Sequence, residues 1–146
     1  MKPSSKPAAL VLAAASLLAA GSAFAERPAN LANTTWTLLT NREPVQLFID
    51  TQGGPGAPGA ANCRGINAVL GVPPPEIKAT GWYCPSTGRI HLVHRNLDSK
   101  IAVRTFTGNV SDVVEGQPLF MAGVMTVEIS EFGDLGEYPF SATQQP

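Results

Sequence analysis

The chain has 146 residues, of which 44% are hydrophobic and 14% are charged, and its formal net charge at pH 7 is −1. Residues 26–104 carry an excess of basic side chains, whereas residues 105–146 carry six acidic side chains and no Lys or Arg. This distribution excludes a single basic patch of the kind that binds nucleic acid. It is typical of ordinary surface charge, although the two halves could also complement each other within one fold or between subunits.

Residues 1–25 have the pattern of a secretory signal peptide. Lys2 and Lys6 form a basic start, residues 8–20 form an apolar run, and Ala23-Phe24-Ala25 places small residues where a signal peptidase cleaves. The apolar run is shorter than the roughly 20 residues that a bilayer crossing needs. Removing 25 of the 146 residues leaves 121, enough for one domain. We therefore predict a single mature domain, 26–146, that is secreted or periplasmic and has no membrane span.

Short runs of alternating, β-branched and aromatic residues predict eight strands and no helix. The predicted strands cover residues 34–40, 45–50, 63–70, 76–83, two segments of 89–110 separated by a turn at 96–99, 119–129 and 136–143. Residues 51–62 contain four Gly and two Pro, which predicts a long irregular loop. Because the strands need only short connections, the predicted fold class is all-β, an eight-stranded antiparallel up-and-down β-barrel, or meander.

The predicted seventh strand is apolar on both faces. Met121 and Met125 lie on one face, and Phe120 and Val124 lie on the other. A strand with one face in water should alternate between apolar and polar residues. We therefore predict that a second subunit covers the outer face and that the protein is a homo-oligomer.

The mature chain has two cysteines, Cys63 and Cys84. An exported protein meets an oxidising compartment, so we predict a disulfide between them. Closing a loop of about 20 residues would stabilise the fold by roughly 3 kcal/mol. The alternative is a metal pair, but two thiols without nearby His or further Cys do not supply the four ligands of a zinc site. We predict no metal and no cofactor.

Two histidines, His91 and His94, lie three residues apart on a predicted strand and should therefore point to opposite faces. Alternation with Ile90 and Leu92 places His94 on the apolar side. Two interpretations of His94 remain open, a hydrogen-bonded core histidine, which is favoured, and a ligand contact. The sequence contains no motif that pairs a nucleophile with a base, so we predict that the protein is not an enzyme.

Three short elements resemble the avidin/streptavidin family of β-barrels. They are Thr35-Trp36-Thr37 in the first strand, Ala79-Thr80-Gly81-Trp82-Tyr83 in an internal strand and Phe106-Thr107-Gly108-Asn109 in the central hairpin. The resemblance covers most of residues 33–128. It implies a barrel that binds a small molecule at one mouth, with biotin as the family's ligand.

The same resemblance implies four ligand-binding residues. His94 and Phe106 look like the positions where the family has pocket tryptophans, and Asn41 is close to the position of the family's first-strand asparagine. Arg104 stands where the family has a small hydroxyl residue, whereas a third pocket tryptophan and the family's closing segment have no counterpart. A buried Arg must be paired, so we predict that Arg104 pairs with an acidic group of the ligand or with a carboxylate such as Glu128.

A second resemblance, to the META-domain family of exported bacterial proteins, covers residues 31–85. It rests on Trp36-Thr37-Leu38, Asn62-Cys63-Arg64 and the segment 79–85. It implies a structural or protein-binding envelope protein whose barrel is filled by side chains. A mouth plugged by Trp36, Phe106 and Tyr138 would favour this alternative, and an open mouth lined by polar groups would favour a ligand.

Overall fold

The computed structural model describes residues 26–42, 44–56, 61–71, 77–96, 98–129 and 133–146. In these ranges the chain forms eight strands and no helix, which confirms the predicted all-β class. The predicted signal peptide, residues 1–25, and the Pro-rich segment 72–76 lie outside the described residues. The strands are β1 (Thr34–Leu39), β2 (Val45–Pro55), β3 (Arg64–Leu70), β4 (Ile77–Cys84), β5 (Arg89–Arg95), β6 (Ala102–Val110), β7 (Phe120–Val127) and β8 (Gly136–Gln144).

The sheet closes into a barrel in which each strand pairs with the next one along the chain. Every pairing is antiparallel, and the last one joins β8 to β1, where Trp36 faces Gln144 and Leu38 faces Ala142. An antiparallel meander needs only short hairpin connections, which the Gly-, Pro- and Asn-containing segments between the strands supply. The predicted up-and-down barrel is therefore confirmed.

Alternation along each strand directs one set of side chains into the barrel, and these side chains fill it. An interior cavity among them has a volume of about 10 Å³, no more than a single water molecule needs. Burying one large apolar side chain stabilises a fold by about 1.5–3 kcal/mol. The larger inward side chains are Trp36, Leu38, Leu47, Ile49, Ile66, Leu70, Tyr83, Ile90, Leu92, Phe106, Met121, Met125 and Phe140.

Two inward glycines make room for the largest side chains on the β6–β8 wall. Gly108 lies opposite Gly123, which in turn lies opposite Phe140. A Cβ added at Gly108 would collide with the carbonyl oxygen of Ala122 and approach the Phe140 ring tip to 3.0 Å. The ring of Phe140 can therefore lie against bare backbone, where it meets Phe106 edge to face at a centroid distance of 5.5 Å.

The predicted irregular loop, residues 51–62, was wrong for residues 51–55, because β2 continues through Pro55. Two register shifts, between Ile49 and Thr51 and between Gly53 and Pro55, insert bulges that keep this Gly-rich segment paired with β3. Gly54 has a φ of +65°, which a glycine adopts without strain. Residues 57–60 of the predicted loop lie outside the described residues.

The predicted disulfide between Cys63 and Cys84 is present. Arg64 faces Tyr83 across the β3–β4 pair, so the two cysteines occupy the next position along the same ladder. The bridge thus joins the start of β3 to the end of β4 with a sequence separation of 21 residues. By loop-closure entropy it stabilises the fold by about 3 kcal/mol.

The N-terminal segment closes the barrel end that contains the disulfide, which we call the plugged end. Leu31 is fully buried there, and its backbone N–H donates to the side-chain carbonyl of Gln52 at 2.9 Å. The Tyr83 hydroxyl donates to the Pro28 carbonyl oxygen at 2.8 Å, and burial raises the pKa of this phenol to about 12. Trp36 is fully buried near this segment, and its indole N–H donates to the Thr34 hydroxyl at 2.8 Å.

We expect Gly108→Ala to lower the free energy of unfolding by about 1–3 kcal/mol, because its methyl group would displace Phe140 or the β7 backbone. The control is Gly53→Ala, because a Cβ at Gly53 meets nothing within 4 Å. Urea unfolding of both variants checks this prediction. Equal stability of the two variants would contradict the packing described for the β6–β8 wall.

Candidate functional site

The barrel end opposite the plugged end contains an open cavity of about 520 Å³, which we call the mouth cavity. Its size falls within the range of small-molecule sites, roughly 300–1,000 Å³. The turn between β1 and β2 supplies its polar rim, and β6 and β7 supply one wall. The lining residues are Thr40, Asn41, Arg42, Val45, Arg104 and Met125.

Arg104 is the cationic group of the β6 wall. It lies two residues before Phe106 on the inward face of the strand and is half-buried. The expected partner Glu128 forms no ion pair with it in the described structure, and the Glu128 carboxylate accepts a hydrogen bond from the Thr105 hydroxyl at 3.0 Å. Within the described residues, the ion pairs are Arg27–Asp112 and Arg42–Asp134, so the guanidinium of Arg104 has no carboxylate partner there.

His94 is the cross-strand neighbour of Arg104 on β5. Its Nδ1 atom is buried and has no hydrogen-bond partner among the residues that the structure describes, so the favoured interpretation of a hydrogen-bonded core histidine is not what the structure shows. Burial lowers the pKa of His94 below 6.5, and the positive charge of Arg104 lowers it further. The imidazole is therefore neutral at pH 7 and offers one donor and one acceptor.

His91 lies on the other face of β5, as its spacing from His94 predicts. Its ring stacks on Trp82 at a centroid distance of 5.4 Å, and its Nδ1 lies 3.0 Å from the Thr107 hydroxyl oxygen. Burial lowers the pKa of His91, and the positive charge of Arg95 lowers it further by a smaller amount. The two histidines therefore belong to different environments and do not form one site.

An ion pair crosses the rim of the mouth cavity. Arg42, in the β1–β2 turn, contacts the same Asp134 oxygen through Nε at 2.8 Å and through Nη2 at 2.7 Å. The Tyr138 hydroxyl donates to the Asp134 carbonyl oxygen at 3.1 Å. These bonds join the turn after β1 to the segment before β8 and hold two sides of the rim together.

The structure brings three of the four predicted ligand-binding residues to one barrel end. Asn41 and Arg104 line the mouth cavity, and His94 is paired with Arg104 in the ladder. Phe106 lies one inward position deeper, is 4% exposed and lines the small interior cavity instead. Sequence reasoning missed Arg42, whose carboxylate partner lies 92 residues away in the chain.

Neither a family model nor a curated protein matches the chain. In the described residues there is no helix with the length and hydropathy needed to cross a membrane.

We expect Arg104→Gln to raise the pKa of His94 part of the way towards 6.5. The substitution removes the repulsion between the guanidinium and the protonated imidazole, while the larger effect of burial remains. Arg95→Gln should raise the pKa of His91 and leave that of His94 unchanged. Imidazole NMR shifts recorded across a pH titration measure both values. A His94 pKa that does not respond to Arg104→Gln would contradict the arrangement at the mouth.

The lowered pKa of His94 also predicts how stability depends on pH. Below pH 6.5 the unfolded chain binds a proton at His94 before the folded protein does, so stability falls as the pH drops from 6.5 towards the pKa of the folded state. His94→Gln should reduce this dependence.

Proposed function

We propose that the protein is a binding protein whose mouth cavity holds a small molecule with an anionic group. The observation that carries this proposal is the guanidinium of Arg104, half-buried in an open cavity and without a carboxylate partner among the described residues. A partly buried Arg is stabilised by a carboxylate or phosphate that accepts its hydrogen bonds. The ligand's anionic group would complete this arrangement.

Neutral polar groups next to Arg104 would fix the orientation of the ligand. The amide of Asn41 lines the same cavity, and the Nδ1 of His94 is buried without a partner in the described part of the chain. Buried polar atoms are normally hydrogen-bonded, so a ligand polar group or a water molecule would satisfy this nitrogen. The lining combines these groups with apolar contacts from Val45 and Met125.

The filled interior limits where the ligand can lie. Below the mouth, Phe106 and Phe140 are in contact, and the interior cavity of about 10 Å³ has no space for an organic molecule. The ligand would therefore bind in the mouth, above Phe106, and not along the barrel axis. Biotin, which the avidin resemblance implies, would have to bind in this shallow position.

We propose a secreted or periplasmic location for this binding protein. The disulfide between Cys63 and Cys84 supports it, because such bonds persist in oxidising compartments.

We expect the mature protein to bind carboxylates and to lose affinity when the charge is removed. Isothermal titration with biotin and with benzoate, each against its neutral methyl ester, measures this difference. Arg104→Gln should weaken carboxylate binding by about 10- to 100-fold, because a hydrogen bond to a charged group contributes about 1.5–3 kcal/mol.

Arg95→Gln is the matched control, because Arg95 is exposed on the neighbouring strand and donates to the Lys100 carbonyl oxygen at 3.2 Å. It should leave the affinity unchanged. Native mass spectrometry of protein exported by its own host would reveal a retained ligand of unknown identity. No retained mass, together with no heat from either carboxylate, would contradict the proposal.

A second candidate function is self-association through the outer face of β7. Phe120 and Val124 point outwards and are 48% and 43% exposed in the single chain. Val124 lies in a row between Thr107 of β6 and Pro139 of β8, so its two cross-strand neighbours carry no charge. Apolar residues grouped on an exposed sheet face are typical of contact surfaces between subunits.

We expect native mass spectrometry to show an oligomer at micromolar concentration and Val124→Glu to convert it to a monomer, because the carboxylate would lose its hydration in the interface. Ile101→Glu, at another exposed apolar position, 54% exposed before β6, serves as the control. A wild-type protein that is monomeric under these conditions would contradict this candidate.

A further inference from the structure

A second open groove lies on the outer surface of the barrel, away from the mouth cavity. It crosses β2, β3 and β4 near their plugged-end halves and has a volume of about 390 Å³. Its outward-facing lining consists of Thr51, Gly53, Gly65, Asn67 and Thr80. Neither candidate function described above uses this groove.

The floor of the groove is bare backbone because two glycines lie side by side. Gly53 faces Gly65 across the β2–β3 pair, and Gly65 faces Trp82 across the β3–β4 pair. A Cβ built on Gly53 meets nothing within 4 Å, and the nearest heavy atoms to one built on Gly65 are backbone oxygens at 3.0, 3.3 and 3.9 Å. No side chain of the neighbouring strands therefore fills the space beside Trp82.

Trp82 lies opposite Gly65 of the groove across the β3–β4 pair, and on its other side it contacts His91 of β5. The His91 ring stacks on one face of the indole with an interplanar angle of 21°. His91 lies on β5, whereas the glycine pair lies on the opposite side of Trp82. The imidazole thus covers one face of the indole, and Gly65, the neighbour on the other side, has no side chain that could cover the second face.

The remaining lining of the groove supplies hydrogen bonds without charge. Asn67 Nδ2 donates to the Thr51 hydroxyl at 2.8 Å, which leaves the Asn67 carbonyl oxygen, its second N–H and the Thr51 proton available. The Thr80 hydroxyl has no hydrogen-bond partner in the described ranges, and none of the described lining residues is charged. A ligand for this groove must be neutral and rich in hydroxyl groups.

We propose that this groove is a carbohydrate-binding site in which a pyranose ring stacks on the free face of Trp82. A pyranose has an apolar face of C–H groups that fits an aromatic ring and an edge of hydroxyls that both donate and accept hydrogen bonds. The stacked ring lies over Gly53 and Gly65, where a large side chain would block it. Its hydroxyls meet Thr51, Asn67 and Thr80.

The chemistry of the groove favours a sugar over a second copy of the chain. A protein interface of standard size buries about 800 Å² on each partner and has an apolar centre. The outward-facing lining of this groove consists of glycine, threonine and asparagine, with no large apolar side chain at its centre.

The test uses the mature protein and a panel of methyl pyranosides of glucose, galactose, mannose and N-acetylglucosamine, with their disaccharides. Trp82 should report binding through its fluorescence, since the only other tryptophan, Trp36, is fully buried. Saturation-transfer NMR should show the strongest transfer to the C–H protons of one sugar face. We expect saturable binding of at least one pyranoside.

Two variants localise the binding. Trp82→Ala should weaken it by about tenfold or more through loss of the stacking surface. Gly53→Gln should abolish it by filling the floor of the groove, whereas Gly53→Ala, at the same position, should retain most of it. Ile101→Ala removes an exposed apolar side chain before β6, away from the groove, and should change nothing.

The proposal is overturned if no sugar in the panel gives a saturable signal, or if Trp82→Ala and Gly53→Gln bind as the wild type does. It is also overturned if Trp82→Ala changes the number of subunits and leaves sugar binding intact, which would make the groove a contact between copies.

Discussion

The antiparallel pairing of β1 with β8 is the contact on which the rest of the structure depends. It joins the first strand to the last through four register pairs, from Trp36 with Gln144 to Leu39 with Ser141. Beyond the ladder, Gln145 adds a backbone bond to the Thr35 carbonyl oxygen at 2.8 Å and a side-chain bond to the Thr37 hydroxyl at 2.7 Å. Without this seam the sheet would have two unpaired edges and an interior open to water. With it, every inward side chain shares one core.

Closure also makes the two barrel ends different. The N-terminal segment and Tyr83 complete the plugged end, where the disulfide joins the adjacent strands. At the other end, Arg104 and His94 point inwards from strands that no segment covers in the described structure. A charged residue at such a position is costly unless it is solvated or paired. The polar groups available to the proposed ligand are therefore concentrated where the core ends, and the filled centre would restrict such a ligand to the rim.

Most of the fold could be predicted from the sequence because strand periodicity is a local signal. The alternation of Ile90, Leu92 and His94 already indicated which face of β5 is inside, and Cys63 and Cys84 indicated which strands are neighbours. The extension of β2 could not be predicted, because paired bulges let Gly53 and Gly54 remain in a ladder that glycine composition argues against. The site was only partly predictable. Arg104 and His94 are close in sequence and share a hairpin, whereas the Arg42–Asp134 pair and the glycine-floored space beside Trp82 arise from strands brought together by the fold.

The most direct test of the closed barrel is amide hydrogen exchange of the mature protein, followed residue by residue by NMR. If β1 and β8 pair as described, their cross-seam amides should exchange as slowly as those of the central strands β4 and β5, since all of them open only with the whole barrel. Fast exchange along both β1 and β8, with β4 and β5 still protected, would show an open sheet and would contradict the account.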